Sequence, residues 1–282
     1  MRLFFIVGAQ KSGTTWLQRS LNSVAGGHCL GEGHFIDRLM LPFAATLRDY
    51  NNLMGLVAER VYEGQGYYNP IQDAEYRSVM RQWILQRMVN STKVDPNTIT
   101  AIGDKTPAHS FHIDILRVLF PEARFIHMLR DGRDVAVSAF HHKERVLRKL
   151  GQNDPNADLN QEAPDLLQKW AEFTRAVLKA DADGHPIHTV RYEAMLADPT
   201  AALHGCLQHI VPDHNWDQAM VQTAVDANSF RQTSGRDPGQ ASSTAFLRKG
   251  TAGGWRDELN PDALNRLAPE DQTLLNQLGY GD

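Results

Sequence analysis

The residues with the clearest chemical capacity lie in a short run near the N-terminus. Gly8 and Gly13 bracket the segment GAQKSG, directly after the apolar run Leu3 to Val7 and directly before Thr14, Thr15 and Trp16. A strand, a glycine-bearing turn and a helix start together make an anion site. Backbone N–H groups converge there, and the helix dipole adds partial positive charge. In an ATP-binding loop the lysine directly follows the second glycine, with a Ser or Thr next to it to hold magnesium. Here Thr14 follows Gly13, and Lys11 sits two residues earlier, inside the turn. The run fits an anion, but its lysine is misplaced for magnesium-assisted phosphoryl transfer.

Two distant segments carry matching chemistry. LRDGRDVAVS puts Arg130 at the end of an apolar run and Ser138 eight residues later, near a helix start. An arginine can grip a phosphate with two parallel hydrogen bonds, and the serine hydroxyl can add one more. FLRKGTAGGW gathers Arg248, Lys249, Gly250, Gly253 and Trp255. A glycine there lets the backbone approach a phosphate closely.

The first segment, QKSGTTW, resembles the 5′-phosphosulfate loop of sulfotransferases that use 3′-phosphoadenosine 5′-phosphosulfate (PAPS). RFIHMLRDGRDVAVSAF and FLRKGTAGGW resemble the two 3′-phosphate motifs of the same family. The matched motifs run from residue 6 to 256, with little identity between them. The resemblance implies a PAPS co-substrate, 3′-phosphoadenosine 5′-phosphate (PAP) as product and no metal. Sulfuryl carries less charge than phosphoryl, so backbone amides and a lysine suffice to neutralise the leaving phosphate. It implies cofactor contacts at Lys11, Ser12, Gly13, Thr14, Thr15, Trp16, Arg130, Ser138, Arg248, Lys249 and Gly250. Two fainter matches, RYEAMLADP and NSFRQTSGRDP, imply that Tyr192 lies near the adenine and that Phe230 stacks on it, with Trp16 as third aromatic.

The base is less sharply written. Family members that sulfate phenols and steroids use a His directly after a Lys-Thr pair, but here Lys105-Thr106 is followed by Pro107. His109 is two residues away from that position. The segments GEGHFID and DKTPAH resemble the glycosaminoglycan 3-O-sulfotransferases, whose base is a Glu. That likeness implies Glu32 as base and Lys105 on the sulfonate oxygens, with His109 and His34 as alternatives. A dry pocket would raise the pKa of such a glutamate, and neighbouring lysines would oppose the rise. The other histidines, including His141-His142, form no metal constellation, and no metal is expected. The acceptor is a hydroxyl of a small molecule, carbohydrate or lipid. Two other readings stay open: a magnesium-dependent P-loop nucleotide kinase, and a non-catalytic nucleotide-binding module.

These residues need elements to carry them. RLFFIVGA, ITAIGDKT, RFIHMLR and HPIHTVRYEAML read as four strands. Helices are expected from Thr14 to about Val24, over DILRVLF and over RDVAVSAFHHKERVLRKL, and around 199–210 and 216–227. Alternating βα units predict a three-layer α/β fold, a central parallel sheet flanked by helices, like P-loop nucleotide-binding proteins. One domain is expected over 1–282, with acceptor-side insertions near 35–90 and 140–165, a surface loop at 151–165 and a mobile cofactor loop near 231–250. The 282 residues carry a net charge of −4, with 42% hydrophobic and 22% charged residues, which disfavours a nucleic-acid binder. Two cysteines make no disulfide framework and suggest free thiols in a reducing, cytoplasmic setting. The N-terminal apolar run is too short for a signal peptide, and no stretch approaches the roughly 20 apolar residues of a membrane span. Nothing in the motifs fixes the oligomeric state.

Overall fold

Each apolar run with strand character is followed by a segment of helical period, and the chain folds along that alternation. The structure, a computed structural model, describes residues 1–152 and 154–281. Asn153, inside the expected 151–165 loop, and Asp282 lie outside the described residues. β1 (Arg2–Val7) leads into α1 (Thr14–Asn22) and β2 (Gly27–Gly31). A π-helical turn at Phe35–Met40 opens α2 (Leu41–Val61), and α3 (Asp73–Thr92) follows. Then come β3 (Ala101–Lys105), α4 (Ile113–Leu119), β4 (Arg124–Leu129), α5 (Gly132–Lys149), α6 (Leu159–Ala182) and β5 (Ile187–Arg191). The chain continues through α7 (Tyr192–Ala197), α8 (Pro199–Ile210), α9 (Gln218–Ala227), α10 (Phe230–Ser234), α11 (Pro261–Asn265) and α12 (Pro269–Gln277).

All strand pairs are parallel, in the order β2-β3-β1-β4-β5. The central strand β1 is buried on both faces, and its side chains alternate between two cores. Phe4 and Ile6 pack with Leu17 and Leu21 of α1 and Leu203 and Leu207 of α8. Leu3, Phe5 and Val7 pack with Met80, Ile84 and Met88 of α3 and Leu116 of α4. Helices thus cover both faces, giving the three-layer α/β architecture that the βα alternation predicts. Gly103 in β3 is required by this packing, since a Cβ there would meet the Phe4 ring at 2.3 Å.

The order reverses at β1. The crossover to β2 runs to one side, and β4 lies on the other. In open α/β sheets ligands bind at such a switch point, beyond the carboxyl ends of the strands.

Five expectations shift. The sheet has five strands rather than four, because GHCLG pairs with β3 from Gly27↔Ala101 to Gly31↔Lys105. The fourth expected strand is shorter: only Ile187–Arg191 is extended, and Tyr192–Ala197 turns helical. The expected loop at 151–165 ends at Asp158, whose carboxylate accepts from Asn160 N–H at 2.8 Å and caps α6. Pro164 inside α6 frees the carbonyl four residues back, and Arg266 Nη2 donates to that Asn160 oxygen at 2.5 Å. The 35–90 region is only half peripheral, since α3 buries Tyr76, Met80, Ile84 and Met88 along one stripe, whereas α2 buries no residue. Likewise, 140–149 is the second half of α5 and packs on α6 rather than forming a separate insertion. Among the described residues no helix is long and apolar enough to cross a membrane. Both cysteines are buried and free.

Candidate active site

The carboxyl end of every strand supplies a residue to one crevice. Lys11 follows β1, Glu32 follows β2, Lys105 ends β3, Arg130 follows β4 and Tyr192 follows β5. They line a cavity of about 410 Å³, which also receives Gly13, Thr14, Thr15 and Trp16 from the first turn. Ser138 and His142 enter from α5, Phe230 from α10, and Phe246, Arg248, Lys249 and Gly250 from the last loop.

The first turn is built around left-handed backbone. Gly8 has φ 124°, Gly13 φ 99° and Lys11 itself φ 70°. A Cβ at Gly8 would lie 2.6 Å from the Met128 carbonyl oxygen, and one at Gly13 would lie 2.7 Å from the Tyr192 ring. Both glycines are therefore demanded by close approach as well as by φ. Gly8 N–H donates to Ser110 Oγ at 2.9 Å and Ser12 N–H to the Ala9 carbonyl at 3.3 Å. The N–H groups of Lys11, Gly13, Thr14 and Thr15 find no acceptor among the described residues, so they stay available to an anion at the start of α1.

Arg130 joins three parts of the crevice. Its Nη1 donates to the Lys11 carbonyl at 3.1 Å and its Nη2 to the Thr251 carbonyl at 3.0 Å. Its guanidinium lies 4.2 Å over the Tyr192 ring and 3.6 Å from Asp134. Asp134 accepts from Gly253 N–H at 2.7 Å and Trp255 N–H at 3.0 Å, fastening the last loop to the start of α5. Arg248 is paired with Glu258 through contacts of 2.8 and 3.2 Å, and His141 meets the same carboxylate at 2.6 Å. Lys249 is 3.6 Å from Asp257. Gly250 lets Phe230 pack flat on the backbone, since a Cβ there would meet that ring at 2.4 Å. Arg236 ties the preceding stretch together by donating to the carbonyls of Gln240, Leu247 and Arg248.

Positive charge also collects where β1 and β3 end. Burial, with Arg145, Arg130 and Lys105 nearby, pushes Lys11 down to about 8. Lys11 Nζ sits 4.5 Å over the Phe246 ring. Lys105 is almost fully buried and donates to Glu32 Oε1 at 2.6 Å, while the Glu32 side chain remains 56% exposed. Glu32 also has left-handed backbone, φ 54°, and its N–H donates to the Lys105 carbonyl at 2.9 Å. The next residue, Gly33, donates its N–H to the buried Asp104 carboxylate at 3.1 Å.

Three expected site residues fall elsewhere. His109 is fully buried, edge-on to Phe5 and stacked on Phe35, with Nε2 3.2 Å from Asp104. The 3-10 turn Pro107–Phe111 rolls it into the core, so it reaches no acceptor. Ser12 is also buried beneath its loop, and its N–H is used by Ala9. His34 pairs with Asp37 at 3.0 Å instead of lining the cavity. His142, Asp104 and Asp134 were missed as site residues. His142 lies one helical turn beyond Ser138, a spacing that could have flagged it. Among the described residues no group of His, Cys, Asp or Glu is arranged to hold a metal ion.

Known proteins share the family profile and the fold. The sequence profile described as the Sulfotransferase family matches residues 4–216. The chain is 33% identical over 111 residues to the omega-hydroxy-beta-dihydromenaquinone-9 sulfotransferase Stf3 of Mycobacterium bovis and Mycobacterium tuberculosis. That match covers 38% of this chain and only 27% of the relative. The fold resembles the sulfotransferase domain of the Synechococcus PCC 7002 olefin synthase, with TM-score 0.55, 18% identity and coverage of 99% and 94% of the two chains. It also resembles mouse sulfotransferase SULT7A1 complexed with PAP, with TM-score 0.52, 15% identity and coverage of 98% and 82%. With a family profile spanning most of its length and a crevice built from all five strand ends, the chain belongs to the sulfotransferase family.

Proposed function

We propose that the protein transfers a sulfuryl group from PAPS to the hydroxyl of an acceptor, within one domain that takes in the whole chain. The carrying observation is that two cation-bearing anion positions share one cavity. One is the Lys11 turn with its free N–H groups; the other is Arg130, Ser138 and the Arg248–Lys249–Gly250 loop. A nucleotide phosphorylated at both the 5′ and 3′ positions matches that pair. Trp16, Tyr192 and Phe230 supply apolar walls for the adenine between them. Mouse SULT7A1 in its PAP complex shares this fold, and Stf3 is named for a hydroxylated lipid acceptor.

In the proposed reaction Glu32 takes the acceptor proton while the acceptor oxygen bonds to sulfur. The bond from sulfur to the bridging oxygen breaks opposite, and its electron pair stays on the 5′-phosphate. Lys11 and the N–H groups of Gly13, Thr14 and Thr15 neutralise that phosphate as it leaves. Lys105 holds the sulfonate oxygens and keeps Glu32 oriented until the acceptor hydroxyl arrives. Because the transferred group bears little charge, this assembly works without a metal.

Calorimetry with PAP tests the donor assignment: micromolar binding of PAP and much weaker binding of ADP is expected. Equal affinity for the two nucleotides, or none for PAP, would sink it. Glu32→Gln is expected to lower turnover by about 10²–10⁴-fold while leaving PAP affinity nearly intact. Full turnover in that variant, measured with a radiolabelled sulfuryl donor and a screened acceptor, would remove Glu32 from its role.

A further inference from the structure

We propose that His142 is a neutral hydrogen-bond donor to the transferring sulfuryl group, fixed in its donor tautomer by Arg145. The inference rests on the sulfuryl-transfer reading above. Ser138, His142 and Arg145 stand at i, i+4 and i+7 on α5, so they share one helix face. His142 lines the same cavity as Lys11 and Glu32. In-line transfer needs the sulfur between the leaving phosphate at Lys11 and the acceptor at Glu32, which is the stretch of cavity that His142 borders.

The tautomer follows from the hydrogen bond. Arg145 Nη2 lies 3.0 Å from His142 Nδ1. A guanidinium has donors only, so Nδ1 accepts and the proton of the neutral ring sits on Nε2. Nε2 has no partner among the described residues. With its lone pair engaged by Arg145, the ring is no base. It is a fixed N–H donor.

The charge state fits the same role. Burial pushes His142 down to about 4, Lys11 and Arg145 push in the same direction, and Glu32 opposes them. The charged groups around the ring come from four places. They are Lys11 on the first turn, Glu32 after β2, Arg145 on α5 itself, and Arg248 on the last loop, which is tied to Glu258. Lys11 already carries the repulsion of three neighbouring cations. Another full charge beside it would depress it further, whereas a neutral imidazole adds a donor without that cost. Phe246 stands edge-on to the ring at 5.9 Å and closes that side of the cavity.

Nitrogen-15 NMR of histidine-labelled protein tests the tautomer directly. The His142 resonances are expected to show a protonated Nε2 and a bare Nδ1 at neutral pH, unchanged down to about pH 5. In Arg145→Met the lock and one cation are gone, so the ring should titrate at higher pH and populate both tautomers. Binding tests the contact. His142→Phe is expected to weaken PAPS by about tenfold and PAP by less than about twofold, and His142→Gln, which retains an N–H, to recover most of the loss. A protonated Nδ1 in the wild type, or equal losses for PAPS and PAP, would overturn the proposal. A wild-type protein that binds neither nucleotide would instead break the sulfuryl-transfer reading.

Discussion

The loops at the carboxyl ends of the strands and the helix α2 are held by different means. The loops are pinned through backbone N–H groups. Ser110 accepts from Gly8, Asp104 from Gly33, and Asp134 from Gly253 and Trp255. Helix α2 has no buried residue along its 21 positions and leaves Phe43, Tyr50, Leu53 and Leu56 in solvent. Groups that meet a charged nucleotide must keep their geometry to within tenths of an ångström, because electrostatic stabilisation depends on donors already in place. Ala44 and Leu47 lean on the core and Asn51 bonds the Ile71 backbone, but nothing comparable constrains the exposed face at Leu53 and Leu56, so residues there can change at little cost in stability.

The largest expected effect lies at the pinned end. Lys11→Met should lower turnover by about 10²–10³-fold, the usual loss when one donor to developing charge is removed. Activity near wild type would mean that Lys11 does not face the leaving group. Asp134→Asn comes next. It swaps one N–H acceptor for an amide donor and removes the partner of Arg130, so PAP affinity should fall by about tenfold in calorimetry. Unchanged affinity would show that the last loop holds itself.

A pH series sharpens the same contrast. Lys11, at about 8 in the free protein, is charged at neutral pH and largely neutral near pH 9. An anion beside it favours the charged form, so PAP affinity should drop as pH rises through 8, by about tenfold between pH 7 and pH 9. A flat profile would remove Lys11 from the phosphate. The smallest effect belongs to α2, where Leu53→Ser should shift stability by no more than about 0.5 kcal/mol in denaturant unfolding. A larger loss would mean that this face is covered.

What the sequence made legible tracks this division. The Lys11 turn, Arg130 with Ser138, and the Arg248–Gly250 loop are short strings whose residue type and spacing suit a phosphate, so they stand out, and they line one cavity. β2 did not, because GHCLG has two glycines and a histidine and gains its extended form only by pairing with β3. Asp134 sits in RDGRD, a string whose phosphate signal rests on Arg130 and Ser138; its own partners are N–H groups about 120 residues away. His109 sits two residues from the expected position in sequence, yet the turn after Lys105 sends it into the core. Adjacency along the chain gave no sign of which side of β3 it would take.

The hydrogen bond from Arg130 to the Lys11 carbonyl has a consequence for selectivity. On the proposed function, the arginine assigned to one end of the nucleotide also braces the peptide that carries the lysine assigned to the other end. The two ends are then thermodynamically coupled, and contributions at each need not add. A nucleotide that lacks the 3′-phosphate would forfeit its own contact with Arg130 and also the stiffening that contact lends to the opposite turn. Discrimination against the commoner singly phosphorylated adenosine nucleotides would then exceed the worth of one phosphate, a form of cooperativity written into a single side chain.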